Sequence, residues 1–177
     1  MIDHTFGNQQ SAGFWQQCRM EIPAPFVELA FDLLRILDEQ GNTSSVRSRY
    51  PSKGEYASQG KTSLLDHSIR VAEICLACQD GRIVRDLSVI AGLGHDLGKL
   101  EQVQPRGRYT AILHAHWGAE FVIKIINGRL QDRQQEAIVS AIRDHHISGN
   151  GTIHRVLRAA DALAREGGLW NRTGGQK

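Results

Sequence analysis

The apolar positions of the chain recur at helical spacing in one segment after another. Between residues 24 and 40 they repeat every three or four positions, and Gly41 follows as a stop signal. The same spacing predicts further helices at residues 11–20, 64–79, 84–98, 114–127, 132–146 and 152–166. No run of alternating apolar and polar residues predicts a strand. The pattern therefore predicts an all-α fold, a helical bundle.

The polar segments between the helices suggest how the chain is organised. Its 177 residues favour one domain with a single core. We expect residues 1–62, N-terminal helices and a basic loop, to pack on a core formed by residues 63–166, and residues 167–177 to be a flexible tail. The loop at 41–62 carries four basic residues and one acidic residue. A loop of this length is either a solvated surface or a lid that contacts an anion.

The composition limits which cellular compartment and which binding partners are expected. A net charge of +2 does not indicate nucleic acid as a partner, although it leaves one possible. Three cysteines, an odd number, favour a reducing cytoplasm. The C-x-x-C pair Cys75 and Cys78 lies inside a predicted helix, so we interpret it as packing. Because the chain has neither a membrane-length apolar run nor a signal peptide, we expect a cytoplasmic protein without a membrane partner. The sequence does not indicate an oligomeric state.

Polar residues on apolar helix faces are the unusual feature of the chain. At about 100° per residue, helical geometry places them on or beside the apolar faces of successive predicted helices. They are His67, His95, Asp96, His114, His145 and Asp161. A single such residue is most often a satisfied core group, but six that converge are best compensated by a divalent cation. Imidazoles with carboxylates suit Fe, Mn, Zn, Co or Ni, so we expect one or two transition-metal ions.

Two histidine pairs leave a choice of ligand. His116 shares the wetter face of its helix with Glu120 and Lys124, which favours His114 as the ligand of that pair. His146 is one helical step from His145, and the periodicity favours His145 as the ligand. We expect His146 to face the substrate instead.

The order of these residues resembles the HD superfamily of metal-dependent phosphohydrolases. The superfamily signature is a His, an adjacent His-Asp and a distant Asp, and here LLDHSIRVA, GHDLGKL and RAADALA contain His67, His95 with Asp96, and Asp161. Two-metal members add two histidines, matched by His114 in HAHWGAEF and by His145 in IRDHH. The resemblance covers roughly residues 60–166 and implies an all-α HD domain with a metal site in its core.

The two-metal pattern resembles two groups within the superfamily. They are the HD-GYP cyclic dinucleotide phosphodiesterases and the HD hydrolases of diadenosine tetraphosphate. The Gly-Tyr-Pro element of the first group is absent, because ISGNGTIHRVLRAAD follows His146. A fainter resemblance is to the HD domain of conjugative relaxases, which act on DNA.

The resemblance implies a phosphohydrolase that cleaves a phosphomonoester or phosphodiester, with a nucleotide as the expected substrate. Asp96 could reach between two ions, with His67, His95 and Asp161 completing one site and His114 and His145 the other. We expect Asp96 and Lys99 to be catalytic. Lys99, Arg143 and His146 are the expected substrate contacts, although Lys99 could instead satisfy helix-end carbonyls and Arg143 could be a solvated surface residue. The alternatives are a metal- and nucleotide-binding module and a part of a DNA-processing relaxase-type protein.

Overall fold

Seven α-helices form the part of the chain that a computed structural model describes, which is residues 5–43, 45, 62–104 and 111–166. They are α1 (Gln9–Glu21), α2 (Phe26–Gln40), α3 (Leu64–Leu76), α4 (Arg82–Gly94), α5 (Ala111–Ile126), α6 (Asp132–Arg143) and α7 (Thr152–Glu166). A single 3-10 turn, Leu97–Lys99, follows α4. These ranges contain no β-strand, so the predicted all-α fold is confirmed.

Side-chain caps start several of these helices. The Ser63 hydroxyl accepts a hydrogen bond from the backbone N–H of Asp66 at 2.9 Å, which fixes the start of α3. At the start of α6, the backbone N–H of Gln131 donates to the side-chain oxygen of Gln134 at 3.1 Å. Each cap satisfies backbone N–H groups that a helix start leaves unpaired.

Helix α3 ends at Leu76, three residues before the predicted end at 79, and two further helices also end earlier than the apolar pattern predicts. The predicted helix at 84–98 stops at Gly94, and the chain turns at Asp96 before the 3-10 turn. The predicted helix at 132–146 stops at Arg143, where the backbone N–H of Asp144 bonds to Ser140 O at 3.0 Å. Both predicted ends were wrong, and both errors fall next to the histidines of interest.

Helix α4 is the centre of the bundle. Its residues 86–94 are all buried, and it packs against α3, α7, α2 and α6. Because neighbours surround this helix, the residues that follow its C-terminal end enter the interior rather than solvent. The next two residues are His95 and Asp96.

A close backbone contact fixes α5 against the 3-10 turn. A Cβ atom on Gly98 would lie 1.8 Å from His114 O and 2.8 Å from Gly118 N, so only glycine fits there without a shift. A Cβ atom on Gly118 would lie 3.1 Å from Gly98 N. This contact brings His114, on α5, alongside the end of α4.

The N-terminal helices pack on the same core. The rings of Phe6, Trp15 and Phe31 stack edge to face, with centroids 5.6 Å apart for Phe6 and Phe31 and 5.0 Å for Trp15 and Phe31. Helix α2 contacts α3 and α4. The boundaries 1–62 and 63–166 stay a prediction. The predicted basic loop, apart from its ends, and the predicted tail lie outside the described residues.

No helix among the described residues is both long enough and apolar enough to cross a membrane.

We expect Gly98→Ala to lower the free energy of unfolding by about 1–3 kcal/mol, because the new methyl group must push the α5 backbone away. The matched control is Gly13→Ala, where a Cβ meets no atom within 4 Å inside an exposed stretch of α1. That control should be stabilising by about 0.5–1 kcal/mol. Urea unfolding measures both, and an unchanged midpoint for Gly98→Ala would show that the contact is not tight.

Candidate metal centre

The structure brings the six predicted ligand residues together in one buried cluster. Their exposed fractions lie between 0% and 7%. The residues are His67 on α3, His95 and Asp96 after α4, His114 on α5, His145 after α6 and Asp161 on α7. They form three overlapping sets of possible metal-ligand atoms, within each of which the atoms lie within 4.8 Å of one another. Asp96 belongs to two of these sets, and one of them also includes His146.

Asp96 lies between two groups of histidines. Its Oδ2 is 3.4 Å from His95 Nε2 and 3.7 Å from His67 Nε2. Its Oδ1 is 3.1 Å from His114 Nε2 and 3.8 Å from His145 Nε2. Ligands bonded at about 2.0–2.2 Å to a shared ion lie roughly 3–3.5 Å apart. Each oxygen of the carboxylate therefore faces a different pair of histidines.

Asp161 divides its two oxygens differently. Oδ1 lies 3.1 Å from His67 Nε2 and 3.8 Å from His95 Nε2. Oδ2 accepts a hydrogen bond from the guanidinium of Arg165, one turn later on α7. Only Oδ1 is directed at the histidines.

Two helix ends orient two of the imidazoles. The last carbonyls of a helix have no partner within the helix, and His95 Nδ1 lies 2.8 Å from Gly92 O at the end of α4. In the same way His145 Nδ1 lies 2.6 Å from Ile142 O at the end of α6. Because a carbonyl only accepts, Nδ1 is the nitrogen that carries the proton in each ring. Nε2 is then the ring nitrogen that is left for another partner, either a proton or a cation.

Those Nε2 atoms supply the test of fit for a metal. Both are buried, and neither has a hydrogen-bond partner among the described residues. An unpaired buried polar atom costs about 1–3 kcal/mol, and a bound cation would remove that cost. With two carboxylates alongside, the donor set fits a divalent transition-metal ion.

The protonation of the cluster suits cation binding. Burial lowers the pKa of His67 and holds the pKa of His145 well below its usual range, so both are neutral. Burial opposes the charge on Asp96, yet His95 and Lys99 hold the pKa of that carboxyl well below its usual range. Burial likewise favours neutral His95, but the carboxylates of Asp96 and Asp161 outweigh it and raise the pKa of His95. The two carboxylates thus favour positive charge at the centre of the cluster.

The predicted substrate contacts lie in three different environments. Lys99 is buried; its Nζ donates to Asp96 Oδ2 and, at 2.8 Å, to Ser45 O. The carbonyl it satisfies is thus Ser45 O, 54 residues away in the sequence, and not one near Gly98. Arg143 is at the surface, with Nε 3.4 Å from Asp144 Oδ1. Substrate binding by Lys99 and Arg143 stays a prediction.

His146 lies closer to the cluster than its predicted helix face implies. Its Nε2 is 3.0 Å from His114 Nε2, and the ring is partly buried. Burial, with the charge of His114 adding to it, lowers the pKa of His146 to about 4. The helical argument for His145 over His146 was wrong in its premise, because α6 ends at Arg143 and both histidines lie in the following turn. Which of them binds metal stays a prediction.

Two residues near the cluster were missed as contributors to it. His154 is buried, and its Nε2 lies 2.9 Å from Asp144 O and 3.1 Å from Ile147 O, so it holds the turn that contains His145 and His146. Its position two turns before Asp161 was the signal in the sequence that could have placed it near the cluster. Its hydrogen-bond partners, however, are carbonyls of the loop after α6, which spacing within a helix does not reveal. Arg165 follows Asp161 by four residues, the usual spacing of a helical ion pair.

The comparison with known families agrees with this cluster. The model of the family described as HD domain matches residues 64–166, more than half of the chain and all six residues of the cluster. A search of curated proteins and a search of solved structures give no match.

We expect His145→Ala to lose bound metal and His146→Ala to keep it, because the His145 ring is oriented by Ile142 O and its Nε2 has no other described partner. Elemental analysis of the purified variants measures this. His116→Ala is the control, since its side chain is 52% exposed and pairs with Glu120. Metal loss in His146→Ala alone would reverse the assignment.

We expect His154→Phe to weaken metal binding by about ten- to hundredfold, because the turn that holds two histidines loses its support. His154→Gln, which keeps an N–H donor near the position of Nε2, should recover part of the affinity. Titration against a competing chelator compares them. Equal affinity in the Phe variant would show that the turn keeps its shape unaided.

Proposed function

The chain belongs to the HD domain family, and on that premise we propose that it is a metal-dependent phosphohydrolase that cleaves a phosphomonoester or phosphodiester of a nucleotide. The superfamily to which this domain belongs consists of metal-dependent phosphohydrolases. The observation that carries the proposal is the position of Asp96. Its two oxygens face two different pairs of histidines inside a complete ligand set.

The proposed ligands divide into two groups that share Asp96. One group is His67, His95 and Asp161, where Asp161 Oδ1 lies near both imidazoles, and the other is His114 and His145, which face Asp96 Oδ1. The metals that suit these donors are Fe, Mn, Zn, Co and Ni. Bound there, such ions supply an activated water and positive charge for the phosphoryl oxygens.

Lys99 is the proposed partner of both Asp96 and the substrate. Its ammonium holds the Asp96 carboxylate in its ionised form, as the lowered pKa of Asp96 indicates. Of the three N–H groups of an ammonium, one is directed to Asp96 and one to Ser45 O. The third can donate to a phosphoryl oxygen, which would neutralise charge as the phosphorus is attacked.

His146 and Arg143 have smaller parts in the proposal. His146 is partly exposed beside His114, which suits a contact with the substrate. Arg143 pairs with Asp144 at the surface, so its contact with substrate would be peripheral.

The test combines metal analysis with a substrate panel. Protein purified without chelator, and protein reconstituted with each of the five metals, is assayed against nucleoside phosphates, cyclic dinucleotides, dinucleoside polyphosphates and a chromogenic phosphoester. We expect bound metal and turnover of at least one nucleotide. Less than about 0.1 equivalent of any transition metal after reconstitution would contradict the proposal.

Asp96→Asn is the decisive variant. Removing the charge of a buried carboxylate between cations costs about 3–5 kcal/mol, so we expect turnover to fall at least a hundredfold and metal content to drop. Asp80→Asn, which changes an exposed carboxylate outside the cluster, is the matched control and should match the unmodified protein.

Two outcomes would favour the alternative functions. Metal and nucleotide binding without turnover would indicate a binding module. Salt-dependent binding of DNA, with no nucleotide hydrolysis, would indicate a DNA-processing role.

A further inference from the structure

Arg165 is the one described cation that both contacts a carboxylate of the metal centre and reaches solvent. It lies in the last turn of α7, and its Nη2 donates to Asp161 Oδ2. Its side chain is 31% exposed, against 10% for Lys99 and 5% for Asp161. Arg165 therefore stands between the buried cluster and the outside.

Within the described residues, most of the hydrogen-bonding capacity of Arg165 has no partner. A guanidinium has five N–H donors in a fixed plane. Among the described residues, Asp161 is its hydrogen-bond partner, through a single nitrogen. The side chain is also partly exposed to solvent.

Arg165 is also related to the part of the cluster that contains His114 and His146. Its charge is among those that act on His146, together with that of His114, and His146 is itself partly exposed. His146 lies 3.0 Å from His114, whereas Asp161 pairs with His67. Arg165 and His146 are thus two partly exposed groups at the cluster.

The other described cations near the centre are less suited to meet an anion from solvent. Lys99 is buried, and its ammonium is engaged by Asp96 and Ser45 O. Arg143 pairs with Asp144, outside the cluster. Arg129 pairs with Asp32 on α2 at 2.5 Å.

We propose that Arg165 binds a phosphoryl group of the substrate at the accessible side of the metal centre, through the N–H groups that Asp161 leaves free. This inference rests on the proposed phosphohydrolase function. A planar guanidinium matches two phosphate oxygens at once, which an ammonium cannot do. The bond to Asp161 holds the guanidinium in place before the substrate arrives, so less side-chain freedom is lost on binding. The ligand class is a phosphate ester with at least one unshielded anionic phosphoryl group.

The experiment uses inorganic phosphate as the probe and metal-loaded full-length protein. Calorimetric titration gives the phosphate affinity, and elemental analysis gives the metal content of the same samples. We compare Arg165→Gln and Arg165→Lys with Arg158→Gln, which removes an exposed arginine from the same helix. Arg165→Gln should weaken phosphate binding about tenfold or more with metal content unchanged.

The lysine variant separates phosphate binding from support of Asp161. Arg165→Lys keeps a cation that can pair with Asp161, so metal content should be unchanged, while phosphate affinity recovers only in part because the paired donors are gone. Arg158→Gln should bind phosphate as the unmodified protein does.

Two results would overturn the inference. One is unchanged phosphate affinity in Arg165→Gln. The other is loss of metal from both Arg165 variants in proportion to the loss of phosphate binding, which would make Arg165 a support for Asp161 alone. Failure of the unmodified, metal-loaded protein to bind phosphate would instead contradict the proposed function itself.

Discussion

A buried negative charge at the end of the central helix is the constraint on which the rest of the centre depends. Asp96 is 1% exposed, and an ionised carboxylate in such a place is unfavourable unless cations or donors surround it. Four histidines and Lys99 supply that surrounding. The same crowding of donors about one carboxylate leaves imidazole nitrogens without partners, which a cation would satisfy. The histidines that compensate the charge of Asp96 are therefore also placed to bind a metal.

The backbone supports this arrangement through its irregular parts. The ends of α4 and α6 offer carbonyls that orient His95 and His145. The contact between Gly98 and Gly118 sets how near α5 comes, and so how near His114 lies to Asp96. Helix ends and turns have backbone groups free to hold side chains, whereas a helix interior does not. Accordingly His95, Asp96 and His145 lie just after the ends of α4 and α6, whereas the other three residues of the cluster lie inside helices.

The cations around the centre differ in what they can do. Lys99 is buried and linked to Ser45, so it is suited to holding Asp96 ionised and placing one donor inside the site. Arg165 pairs with Asp161 from the solvent side. The buried ammonium of Lys99 is thus an inner positive charge, and the partly exposed guanidinium of Arg165 is an outer one. Under the proposed function, a phosphate ester would meet the guanidinium first and the ammonium second.

The sequence by itself determined the helices, their apolar faces and the inward direction of His67, His114 and Asp161, because the face of a residue inside a helix follows from local spacing. It also indicated the family. Only the tertiary structure decided where α4 and α6 end, and therefore that His145 and His146 both reach the cluster. It also decided that Lys99 bonds to a carbonyl 54 residues away and that His154 holds a turn. These features depend on packing between segments distant in the chain, which local spacing does not contain.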